Sequence, residues 1–90
     1  MPDVRLPTVL RQHAGGASVV QAPGETVGQV LVFLEATYPG LRGQLLTADG
    51  SPHKFVNVYV DDDDARYLEG LETKLAGTEE ISILPAVAGG

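Results

Sequence analysis

The stretch "TVGQVLVFLEATYPG" decides most of what this chain can fold into. Val27, Val30, Leu31, Leu34 and Tyr38 recur at i, i+3, i+4, i+7 and i+11, one apolar stripe along a helix. Thr26 stands where an N-cap belongs, with Gln29 as its capping-box partner, and Pro39 and Gly40 end the element. Val32 and Phe33 lie beside the stripe, so the helix is expected to be more than half buried. A single striped helix must bury its apolar side against another layer. The segments on both sides of it alternate as half-buried strands do.

"DVRLPTVL" puts Val4, Leu6 and Thr8 on one strand face and Arg5 and Pro7 on the other. Pro7 removes one ladder donor and suits a position whose N–H faces no partner. "RQHAGG" reads as a turn or loop, with Gly15 and Gly16 able to take positive φ, and "ASVVQA" as a second strand. The two strands are therefore expected to form a hairpin. "LRGQLLTADGSPH" is a connector with Leu41, Leu45 and Leu46 as core plugs. In "KFVNVYVDD", Val56, Val58 and Val60 face one way and Phe55, Asn57 and Tyr59 the other. "DDARYLEGLETKLAGT" is expected to hold a brief strand at Arg66 to Leu68 and a helical turn near Leu71 to Leu75. "EEISILPAV" closes the series, with Ile81 and Ile83 on one face and Ser82 and Leu84 on the other. The predicted class is α+β, a β-grasp or ubiquitin-like arrangement. It has a mixed four- to five-stranded sheet, one main helix on one face, and its first and last strands parallel in the middle. Residues 1–84 form this domain, and residues 85–90 a flexible C-terminal tail ending in Gly-Gly.

Composition narrows the function. The chain has 90 residues and a formal net charge of −6, which argues against nucleic acid, since phosphates demand a basic face. The charge suits docking on a basic partner surface, or solubility alone. No apolar run approaches a membrane span and no signal-like segment is seen, so the expected location is cytoplasmic, without membrane attachment. With 0 cysteines there is no disulfide, thiolate metal site, catalytic thiol or protein persulfide.

Few residues invite chemistry. "DDDD" at Asp61 to Asp64 lacks the alternate spacing of a calcium loop and reads as a solvated turn with an Asx-turn in it. His13 and His53 lie in expected loops, and Ser18, Ser51 and Ser82 have no histidine–acid pattern beside them. The glycines match no phosphate-binding fingerprint. No catalytic residue, metal ligand or bound cofactor is predicted, and the protein is not expected to be an enzyme. Two features remain. If the valines of "FVNVYV" face the helix, then Phe55, Tyr59 and Leu84 form a partner-docking patch on the open face of the sheet. The alternative is that the loop bearing Leu68 and Leu71 covers them. The second feature is the tail: Pro85, Ala86, Val87, Ala88, Gly89 and Gly90. Extended, it reaches about 20 Å. Its small residues can thread a narrow channel into a partner's active site and present the α-carboxylate of Gly90.

Those residues resemble the MoaD/ThiS family of ubiquitin-like sulfur carriers, and most closely its CysO-type branch of cysteine biosynthesis. The likeness covers the chain and is carried by "LPTVLRQHAGG", "FVNVYVDDDDARYLEGL" and, most specifically, "ISILPAVAGG". MoaD proteins typically end in a double-proline tail. A single Pro85 followed by Ala86 leans toward the CysO branch, while "GTEE" departs from the family's usual Gly-Asp turn. The resemblance implies adenylation of Gly90 by an E1-like adenylyltransferase/sulfurtransferase using ATP, then conversion to a thiocarboxylate. In the CysO branch it further implies a PLP-dependent cysteine synthase and a zinc metallopeptidase as partners. Alternatives are the same chemistry for molybdopterin, thiamin or a sulfur-containing secondary metabolite, or a protein modifier conjugated through Gly90. A β-grasp binding module with an inert tail is a third possibility.

Overall fold

In the computed structural model, residues 2–51, 53 and 56–85 are described. Five strands form one sheet: β1 (Asp3–Arg5), β2 (Val19–Gln21), β3 (Val56–Val60), β4 (Asp63–Asp64) and β5 (Glu80–Pro85), in the order β2-β1-β5-β3-β4. A short helix α1 (Thr8–Arg11) follows β1, and the main helix α2 (Val27–Thr37) follows β2. This is the β-grasp arrangement. The first strand, β1, pairs with the last, β5, in parallel, and every other pairing is antiparallel.

Strand register explains the core. Val4 lies between Val20 and Ile81; Val60 opposes Ile81 and Val58 opposes Ile83. All six side chains are buried, and they meet the stripe of Val27, Val30, Leu31 and Leu34 on α2. Thr26 caps α2 as expected: its hydroxyl accepts the Gln29 N–H at 3.2 Å. Gln29 in turn accepts the N–H of Glu25, one residue ahead of the cap, at 2.8 Å. Most of α2 is buried or half-buried, as expected; Phe33 packs against the core edge, while Val32, 57% exposed, points away from it.

The connector is held by a residue the sequence pattern did not single out. One carboxylate oxygen of Glu35, on α2, accepts the amides of Gly43, Leu45 and Leu46 at 3.2, 3.1 and 2.9 Å. This ties down the segment that inserts Leu41, Leu45 and Leu46 into the core, where all three are buried.

Three expectations are corrected. The first strand stops at Arg5. Pro7, with φ −69° and ψ 158°, turns the chain into α1 and then into a 3-10 turn at Gln12–Ala14. Proline lacks a ladder donor but is suited to opening a helix, so "PTVL", expected as the end of the first strand, and "RQHA", expected as a loop, coil together. Leu10 and Ala14 face the core from this insertion. Gly15 and Gly16 do take positive φ, 67° and 86°. Second, the brief strand is Asp63–Asp64, not Arg66 to Leu68, which begins in a 3-10 turn at Ala65–Tyr67. The cause is Asp64, whose carboxylate accepts the Arg66 N–H at 2.9 Å and the Arg66 guanidinium at 2.9 Å. That pairing holds the Asp64 carboxyl below the usual carboxylate range. Third, the helical turn falls at Gly70–Glu72 and is a 3-10 turn.

"DDDD" is a tight turn, as read from its spacing. Asp61, Asp62 and Asp63 are exposed and only Asp64 is covered. Asp61 takes a left-handed φ of 56°, and it exchanges hydrogen bonds with Glu80 through both its amide and its carboxylate. In "GTEE", the departure from the family's turn is met by Glu79, whose carboxylate accepts the amides of Ala76 and Gly77.

The insertion after β1 closes tightly on the turn after α2. A Cβ added to Gly40 would lie 2.8 Å from Cγ of the His13 ring. Gly40→Ala is therefore expected to destabilise the domain by about 2 kcal/mol, read as a lower urea midpoint. Adding His13→Ala should recover about half of that loss. Strict additivity of the two changes would show that the ring is not the obstacle.

Candidate functional site

The open face of the sheet is read from the same register. Val19, Arg5, Ser82 and Tyr59 form one row across it. One step toward the end of β5, Leu84 stands opposite Asn57. One step the other way, Gln21, Asp3 and Glu80 form a polar row. Gln21 donates to Asp3 at 3.2 Å, and the exposed Arg5–Glu80 ion pair spans 3.4 Å. Such an exposed pair adds little stability. The face is thus polar where β5 begins and more apolar where it ends.

Of the expected docking patch, Tyr59 is half-buried and Leu84 is 42% exposed, both on the open face. They are diagonal neighbours across the β3–β5 pair. Phe55 lies outside the described residues. The alternative cover for this patch goes elsewhere: Leu71 packs against α2, close enough that a Cβ on Gly28 would meet the Leu71 carbonyl at 3.2 Å. The chain of Leu71 therefore covers the helix side, and Leu68 is exposed.

Pro85 does not begin the tail. It is the last residue of β5, paired with Val56 of β3. Ala86, Val87, Ala88, Gly89 and Gly90 lie outside the described residues. What the structure positions is their root. The central strand β5, bonded on both sides, delivers the chain at the sheet end where α1 and β3 flank it. The strand is paired on both sides as far as Ser82, and its last residues, Ile83 to Pro85, pair with β3.

Among the described residues, no group of three His, Cys, Asp or Glu side chains could hold a metal ion. Among the described residues no helix is long and apolar enough to cross a membrane. A cavity of about 310 Å³ lies on the helix flank, between Val27, Val58, Ala65 and Leu71, with Arg66 and Asp64 at its lining. A second concavity, of about 360 Å³, lies at the root of the tail. Sequence reading missed the latter because it depends on α1.

Comparison with known proteins adds the following. A family model described as the ThiS family matches residues 4–90. The sulfur carrier protein CysO of Mycobacterium tuberculosis is 47% identical over 89 residues, covering 97% of this chain and 96% of its own. The small archaeal modifier protein 3 of Haloferax volcanii is 43% identical over 90 residues, covering 98% of this chain and 97% of its own. Among solved structures, the BexX/CysO complex of Amycolatopsis orientalis contains a chain that matches with a TM-score of 0.89 at 40% identity, over 100% of both chains.

Proposed function

Since this chain belongs to the ThiS family, we propose that it is a sulfur carrier, not an enzyme, whose cargo rides on the α-carboxylate of Gly90. The observation that carries this reading is the 47% identity, over nearly the whole chain, to a protein named as a sulfur carrier. The fold agrees with it: a central strand of the sheet carries the chain as far as Pro85, from which "AVAGG" completes the sequence to Gly90. The composition agrees too, because a chain with 0 cysteines must carry sulfur on something other than a side chain.

A carboxylate resists nucleophiles until its oxygen becomes a leaving group. An E1-like adenylyltransferase joins Gly90 to AMP from ATP, releasing pyrophosphate. A sulfur nucleophile then attacks the acyl carbon, AMP departs, and a thiocarboxylate remains. Ala88, Gly89 and Gly90 pass through the partner's channel, and Leu84 with Tyr59 dock on its surface. For the CysO branch, the acceptor is a PLP-dependent cysteine synthase, which builds a carrier–cysteine adduct. A zinc metallopeptidase then hydrolyses the adduct and returns the carrier. The carrier itself binds no cofactor; ATP, PLP and zinc belong to the partners.

The test is intact mass after incubation with ATP, a sulfide source and an E1-like enzyme from the same cell. A gain equal to one oxygen replaced by sulfur supports the carrier. No gain, with an enzyme shown to load another carrier, overturns it. The second reading, a protein modifier, is favoured by the 43% identity to an archaeal modifier protein. It predicts conjugates of higher mass in cell extract that disappear when Gly90 is removed.

Leu84 can be tested separately. Leu84→Asp is expected to raise the carrier KM of the activating enzyme about tenfold, because a charge replaces an exposed apolar contact beside the tail root. An unchanged KM would remove Leu84 from the docking patch.

A further inference from the structure

The concavity at the tail root combines apolar and basic side chains. It lies between α1 and the end of β5, with Arg5, Val9, Arg11, Leu84 and Pro85 along it. Val9 is 63% exposed and Leu84 42%, so two large apolar side chains border one groove. Its charge is opposite to that of the chain. The protein carries a net −6, yet the groove is lined by two arginines and no acid. Asp3 and Glu80 occupy the far row of the sheet, and Asp61, Asp62 and Asp63 the turn at the start of β5. Arg5 is engaged with Glu80. Arg11 uses only its Nε, which donates to the Leu6 carbonyl at 3.1 Å. Among the described residues its terminal guanidinium nitrogens have no partner.

We propose that this groove seats an acidic loop with an apolar tip, presented by the enzyme that activates the tail, and that Val9 and Arg11 decide which enzyme is accepted. The inference rests on the carrier function proposed above. Its geometric reason is continuity. Pro85 lines the groove, and Gly90 is only the fifth residue beyond it, a reach of about 17 Å when extended. An enzyme that draws Gly90 into its active site must therefore bring its surface against the tail root, where it covers α1. Its electrostatic reason is that an unpaired guanidinium, once covered, needs a carboxylate. The net charge pushes an acidic partner away at long range, whereas the groove attracts it on contact. A basic loop would be attracted at a distance and rejected on contact, which makes the groove a selector rather than a general adhesive.

Carrier-dependent ATP–pyrophosphate exchange tests the proposal. The enzyme is the E1-like adenylyltransferase purified from the same cell, and the full chain is titrated into it. Val9→Asp and Arg11→Glu are each expected to raise the carrier KM about tenfold while kcat stays within about twofold. Arg11→Lys should restore most of the affinity, because it keeps the charge. The exposed position of Val9 leaves its variant's melting temperature unchanged, so a misfolded Arg11→Glu does not spoil the test. If the wild-type chain drives exchange and both variants match its KM, the groove proposal falls and the carrier function stands. If the wild-type chain drives no exchange, the carrier function falls and takes this partner with it. A dimer in sedimentation that Val9→Asp dissolves, with KM unchanged, would assign the groove to a second copy of the chain and overturn the proposal.

Discussion

Removal of Gly90 is expected to abolish thiocarboxylate formation and to leave the fold as it is. Wild-type protein incubated with ATP, sulfide and the activating enzyme gains the mass of the oxygen-to-sulfur exchange. The shortened protein gains none, and neither does one extended by a single residue, because in both the adenylation centre meets the wrong carboxylate. The melting temperature should move by less than about 1 °C. Every buried apolar side chain of the core cluster lies between Val4 and Ile83, and β5 completes its pairing at Pro85. A fall of several degrees would mean that Gly90 belongs to the packed domain, and the handle-and-tail division would have to be abandoned.

Glu35→Ala is expected to be among the most damaging single changes outside the core. Three amides converge on one carboxylate oxygen, and two of those bonds are partly buried. Truncation leaves the amides of Gly43, Leu45 and Leu46 to find water in a segment that must hold Leu41, Leu45 and Leu46 in place. Bonds to a charged acceptor are stronger than neutral ones, so the loss should be about 3 kcal/mol, or about 15 °C in Tm for a domain of this size. Glu35→Gln keeps an acceptor but not the charge and should recover roughly half. A loss of less than about 1 kcal/mol for Glu35→Ala would show that the connector is held by its leucines alone.

These two residues mark what could be read directly and what could not. Gly90 was legible because a strand pattern ran straight into "PAVAGG", and no folding was needed to see it. Glu35 was not, because its partners are backbone amides, which every residue has, and only the path of the connector brings three of them to one oxygen. Asp64 was half legible: "DDDD" reads as a turn, but which aspartate would be covered and paired depends on where Arg66 comes to lie. The segment "PTVL" reads as strand because its alternation suits a strand as well as its actual helix, and Pro7 is compatible with either. That error concealed the groove, since Val9 and Arg11 meet Leu84 and Pro85 only if the chain coils after Arg5.

By itself, the sequence determined the helix stripe, the faces of the two long strands, the β-grasp order, the absence of thiol chemistry and the small-residue end. Each of these is set by spacing or composition within a few residues. The tertiary structure alone decided the coiling of the chain after Arg5, the anchoring of the connector by Glu35, and the basic groove at the root of an acidic protein's tail. The physical reason is range: periodicity reports which way a side chain faces, whereas local field and hydrogen-bond convergence come from segments that are distant in the chain and become neighbours only when the core closes.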